Sequence, residues 1–164
     1  MRSSHALWML LLLSTPLVAL AGAGSTELDK LSFYEGHWTC EGTTFASKDG
    51  PEEKWKATVD VKRELSRAWY GVKFKMSGKN PSETSEFKGY DPAKKRWVHI
   101  FVQSEAGAWG FSTSPGWEKN RMVFTDSEDP KEHSIFTKLS ETRYSHRQET
   151  DGVPSFEKVC NKRN

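Results

Sequence analysis

From Trp38 onward the chain alternates apolar and polar residues with a period of two, and turn signals interrupt the alternation at short intervals. Residues 56–65 place Ala57, Val59 and Val61 on one side against Thr58, Asp60 and Lys62 on the other. Residues 69–76 set Tyr70, Val72, Phe74 and Met76 against Lys73 and Lys75. Strands with one dry and one wet face read this way, whereas an amphipathic helix repeats every three to four residues. Shorter runs of the same kind occupy 121–125, 135–139 and 143–149. Between the runs lie Asp49-Gly50-Pro51, Gly78-Lys79-Asn80-Pro81, Asp91-Pro92, Ser114-Pro115-Gly116, Asp129-Pro130 and Asp151-Gly152. Asp-Pro initiates turns and Asp-Gly supplies the positive φ of tight hairpins. About ten strands at this spacing predict one all-β domain, a sandwich or a barrel.

Composition limits what such a domain can be. With 164 residues there is room for a single core. An apolar share of 35% and a mean hydropathy of -0.72 would suit a disordered chain. Disordered chains are poor in aromatics, however, and this one has 7 Trp, 9 Phe and 4 Tyr, so rings are expected to fill its core. A balance of 24 basic against 22 acidic residues lacks the excess of a nucleic-acid binder.

The N-terminus directs the reading of the cysteines. Arg2, the apolar residues 7–20 and the small-x-small triplets Ala19-Leu20-Ala21 and Ala21-Gly22-Ala23 predict a cleaved secretory signal over 1–23. Pro16 and its small neighbours shorten the apolar run below the ~20 residues that span a bilayer. The folded domain is then 24–164, periplasmic or extracellular. In an oxidising compartment Cys40 and Cys160, the two cysteines of the chain, have each other to pair with. A disulfide needs Cα atoms within ~7 Å, so the first and last strands would have to meet. A closed up-and-down antiparallel barrel satisfies this and leaves no sheet edge, although a sandwich satisfies the distance as well.

Residues 25–31, with a Ser/Thr cap, early acids and Leu28 and Leu31 on one face, predict a short helix that Gly36 can end. Phe33-x-x-Gly36-x-Trp38-x-x-x-Gly42 follows, then Tyr90-Asp91-x-x-Lys94-x-x-x-Val98 and Gly116-Trp117. These motifs resemble an uncharacterised family of exported calycin-like β-barrels related to lipocalins and nitrobindins. The resemblance implies a ten-stranded barrel in which Trp38 plugs the closed end beneath the helix and Gly36 allows its close approach. Nitrobindin-like relatives bind haem through a histidine late in the barrel, which makes His146 the residue to test for that cofactor.

A ligand site has to be sought among inward-facing strand residues. Candidates are Tyr70, Phe74, His99, Phe101, Trp109, Tyr144 and His146. For residues 97–103 the alternation is ambiguous: either Val98, Ile100 and Val102 face inward or Trp97, His99 and Phe101 do. His37 and His133 read as solvated, and Lys54, Lys56, Lys73 and Lys75 as a wet face. The segment 109–117, with Trp109, Phe111 and Trp117 around a turn, suggests a mouth. Gly110-Phe111-Ser112-Thr113-Ser114 approaches a Gly-x-Ser-x-Gly elbow but ends in Ser and lacks the strand-turn-helix setting. No metal-ligand or phosphate-loop motif occurs. Three functions are therefore in play: an exported barrel for a small apolar or amphipathic ligand, a haem-dependent or other small-molecule enzyme using His99 or His146, and an interaction module without a cavity.

Overall fold

The computed structural model describes residues 26–48, 50–105 and 107–163, so the expected signal at 1–23 lies outside the described residues. Residues 26–29 are helical and lead through a 3-10 turn, Ser32–Tyr34, into β1 (Gly36–Thr44). Ten strands follow: β2 (Glu53–Glu64), β3 (Trp69–Ser77), β4 (Ser82–Asp91), β5 (Arg96–Gln103), β6 (Trp109–Ser114), β7 (Trp117–Glu118), β8 (Arg121–Asp126), β9 (Glu132–Ser140), β10 (Arg143–Thr150) and β11 (Val153–Lys162). The strands pair antiparallel in chain order from β1 to β6 and from β7 to β11. β1 joins β11 and β6 joins β8, so ten staves close into a barrel and the two-residue β7 hangs on β8. This closure decides between the two architectures that the cysteines left open.

Cys40 and Cys160 are register partners on β1 and β11 and form a disulfide across 120 residues of sequence. Both are buried, and a covalent bond here secures the first strand to the last. A disulfide of this kind persists outside the reducing cytoplasm. The turns follow the sequence chemistry: Asp151 and Gly152 take φ of 51° and 77°, the conformation that a tight β10–β11 hairpin requires.

The period-two reading holds for β2, where Trp55, Ala57, Val59 and Val61 face the core. In β5 the ambiguity resolves toward Trp97 and His99, which are buried, while Val102 is exposed. One end of the barrel is filled. Leu28, Leu31, Phe33 and Tyr34 of the N-terminal segment lie over Trp38, and four barrel side chains hold that segment down. Trp38 Nε1 donates to the Tyr34 carbonyl at 2.9 Å, Tyr70 Oη to the Leu28 carbonyl at 3.0 Å and Lys162 Nζ to the Phe33 carbonyl at 2.9 Å. Arg63 pairs with Asp29 at 2.6 Å and Glu35 at 3.2 Å. The last carbonyls of short helices lack helical partners, and here the barrel supplies donors to those of Phe33 and Tyr34 and a second donor to that of Leu28, which already accepts from the Leu31 N–H. Gly36 makes the turn from this segment into β1 with φ of 123°, a conformation that side chains rarely adopt.

No helix among the described residues is long and apolar enough to cross a membrane.

Candidate functional site

The opposite end is hollow. A cavity of about 220 Å³ opens between the β3–β4, β5–β6, β8–β9 and β10–β11 turns and reaches to the middle of the barrel. Its apolar lining comes from Trp55, Phe74, Met76, Phe101, Phe124 and Phe156. These lie on β2, β3, β5, β8 and β11, each placed inward by the pleat. Trp55 is fixed by an Nε1 hydrogen bond to Thr44 Oγ1 at 3.0 Å. Gly110 faces Phe101 across the β5–β6 ladder, and a Cβ there would meet the Phe101 ring at 2.4 Å, so the glycine makes room for the ring.

The polar lining includes Glu86, His99, Ser112, Ser134, His146 and Lys158. Glu86 Oε2 accepts from Lys88 Nζ and, at 3.1 Å, from His99 Nε2. Burial on its own would raise the Glu86 carboxyl, but the Lys88 ammonium and the His99 hydrogen bond outweigh it and hold it well below the usual carboxylate range. An ionised Glu86 needs a donor at His99 Nε2. His99 Nδ1 is then the acceptor for the Ser112 hydroxyl, 3.3 Å away. Burial and the nearby Lys88 lower the His99 imidazole, which keeps it neutral.

His146 lies flat on Phe136, with centroids 4.2 Å apart and planes at 11°, and its Nε2 meets Ser134 Oγ at 2.6 Å. Its Nδ1 is buried with no partner. Burial and the neighbouring Lys158 push it well below the ordinary imidazole value. Lys158 is 6% exposed and sits with Nζ 4.0 Å above the Phe74 ring centroid and 6.0 Å from that of Phe156. Burial lowers its ammonium to about 8, against the attraction of Glu86 and with the repulsion of Lys88.

Four of the residues expected from sequence, Phe74, His99, Phe101 and His146, line this cavity together. Tyr70 and Tyr144 are buried toward the filled end, Tyr70 on the Leu28 carbonyl and Tyr144 edge-on to Trp38 at 4.9 Å. Trp109 is exposed on β6, while Trp117 stands near the plug with its ring 6.0 Å from Phe33, so the 109–117 segment runs from one end of the barrel to the other. Glu86, Lys88, Ser112, Ser134 and Lys158 were missed because charged or hydroxyl residues read as outward-facing. One signal was present: Lys158 and Phe156 lie two and four residues before Cys160, hence on its buried face.

The chemistry available here is limited. Ser112, His99 and Glu86 have the connectivity of a nucleophile, base and carboxylate. Acyl transfer also needs preorganised donors for an oxyanion, yet the backbone at Ser112 is paired on both sides, with His99 of β5 and Asp126 of β8. Among the described residues, no group of three His, Cys, Asp or Glu side chains is placed to hold a metal ion. Haem does not fit: the His146 ring face is covered by Phe136, its Nε2 is taken by Ser134, and the cavity falls short of the ~300–1,000 Å³ of drug-sized sites.

Residues 25–134 match the family described as "Protein of unknown function (DUF1579)". Among solved structures, a redesigned β-barrel is similar, with a TM-score of 0.47 and 13% identity over 81% of this chain and 94% of that one. No curated protein matches.

Proposed function

We propose that this chain, which belongs to the DUF1579 family, is an exported barrel that binds one small amphipathic molecule in the cavity at its open end. The observation that carries this reading is the cavity, whose lining combines aromatic rings with hydroxyl, imidazole and charged groups. A dry cavity of ~150 Å³ admits benzene, so about 220 Å³ suits a molecule of roughly nine or ten non-hydrogen atoms. In ligand pockets, polar groups converging beside apolar side chains fix the orientation of what is bound. Export is part of the proposal: the signal pattern over 1–23 and the Cys40–Cys160 disulfide both favour it, and the intact mass of protein recovered outside the cytoplasm tests it. The likeness to calycin and lipocalin barrels belongs to the same reading.

Titration of isotope-labelled protein with octan-1-ol and with octanoate, followed by NMR, tests the binding site. The expected result is saturable shifts at Phe74, His146 and Phe156 for at least one of the two, with Lys54 and Lys73 on the outside unmoved. Absence of shifts for both, or shifts confined to the outer face, would overturn the proposal.

A further inference from the structure

Among the described residues, Lys158 differs from the other buried Lys and Glu side chains of the barrel, Lys88 and Glu86. Lys88 and Glu86 neutralise each other, and His99 shares the Glu86 carboxylate. Among the described residues no carboxylate lies within ion-pair distance of Lys158, and its Nζ rests on the faces of Phe74 and Phe156. The three buried Lys and Glu side chains around the cavity therefore carry one uncompensated positive charge. Removing an ammonium from water costs several kcal/mol, and two ring faces replace only part of that hydration. A fold without use for the charge would place an apolar side chain there.

The surroundings are suited to receiving an anion. His146 is the β10 register partner of Lys158, and its buried Nδ1 is free, so a second group that exchanges hydrogen bonds stands on the adjacent strand. On β1 the partner is Gly42, which carries no side chain. From across the barrel, Glu86 and Lys88 of β4 and His99 of β5 face the same space, and the carboxylate among them is already engaged. At the rim, Glu132 is bonded to Gln148, and Asp126 accepts from the Glu128 and Asp129 backbone N–H groups. The rings of Trp55, Phe74 and Phe156 stand between this point and the mouth, where a short apolar body would lie.

We propose that the ligand is a small amphipathic carboxylate, anchored by an ion pair between its carboxylate and Lys158 Nζ with its apolar body along the ring wall. This rests on the cavity reading of the preceding subsection and adds to it the charge of the ligand. The free-state ammonium near 8 agrees with an amine waiting for a counter-ion, since an anion beside it would raise that value.

Octanoate, octan-1-ol and octylammonium share one chain and differ at the head, so their calorimetric affinities separate the two ideas. For the wild type, octanoate should bind at least tenfold more tightly than the alcohol, and octylammonium more weakly than either. K158M should abolish the preference for the acid while retaining the alcohol, and K158R should keep part of it. Equal affinity for acid and alcohol overturns the ion pair and leaves the cavity reading standing, as does an acid preference that survives in K158M. Failure of all three to bind overturns both. If K158M does not fold, NMR of the wild-type lysine side chains decides: the Lys158 ammonium should titrate at least one pH unit higher with octanoate and not with octan-1-ol.

Discussion

The two ends of the barrel use the same ten strands for opposite purposes. At the filled end, Tyr144 meets Tyr34 and Trp38 edge-on at 5.1 and 4.9 Å, and Trp38, Tyr70 and Lys162 donate to carbonyls of the N-terminal segment. At the open end, rings alternate with charged and hydroxyl groups, and space is left between them. A barrel of this size can be packed shut by side chains. Only one half is, so on the proposed reading stability and binding are separated along the barrel axis. Mutations should divide accordingly.

The largest effect is expected at the filled end. W38A removes a fully buried ring and its bond to Tyr34 and should cost about 3–5 kcal/mol in urea unfolding, without changing the ligand preferences of any protein that remains folded. A loss below 1 kcal/mol would break the proposed division. Replacing both cysteines by serine should cost about 2–5 kcal/mol, because the bond closes a loop of 120 residues in the unfolded chain. Peptide mapping of the unreduced native protein should first show Cys40 linked to Cys160.

The open end should show the opposite sign. K158M replaces an unpaired buried ammonium and should stabilise the protein at neutral pH by up to about 3 kcal/mol. The pH dependence fixes the cause. The folded value of about 8 lies below the ordinary 10.5, so between these values the unfolded state holds more protons and wild-type stability rises with pH. The advantage of K158M should be full below about pH 7 and shrink as pH rises through 8 toward 10, a change read as the difference between the two proteins so that groups common to both cancel. A gap that does not vary over that window would show that Lys158 is not buried as a charge. The smallest effect belongs to Trp109, which is largely exposed: W109S should change stability by less than about 0.5 kcal/mol.

Legibility in the sequence follows the same division. β2 and β3 were readable because their inward residues are apolar and their outward ones charged. β4 was not. Its inward positions are Ser82, Thr84, Glu86, Lys88 and Tyr90, and its outward face includes Phe87, so the polarity rule points the wrong way. Glu86 and Lys88 are tolerated inside only because each compensates the other and His99 arrives from β5. In β5 both faces are partly apolar, and nothing local distinguishes them.

The sequence by itself determined the strands, their turns, the aromatic filling and the pair of cysteines able to join first strand to last. These depend on pleat periodicity and turn dihedrals, which are properties of neighbours in the chain. Only the tertiary structure decided that the sheet closes, that one end is left hollow, and that Lys158 stands in it on the Phe74 ring with no carboxylate of the described residues at ion-pair distance. Charge compensation in a buried site is a sum over residues distant in sequence, and no local pattern records whether that sum reaches zero.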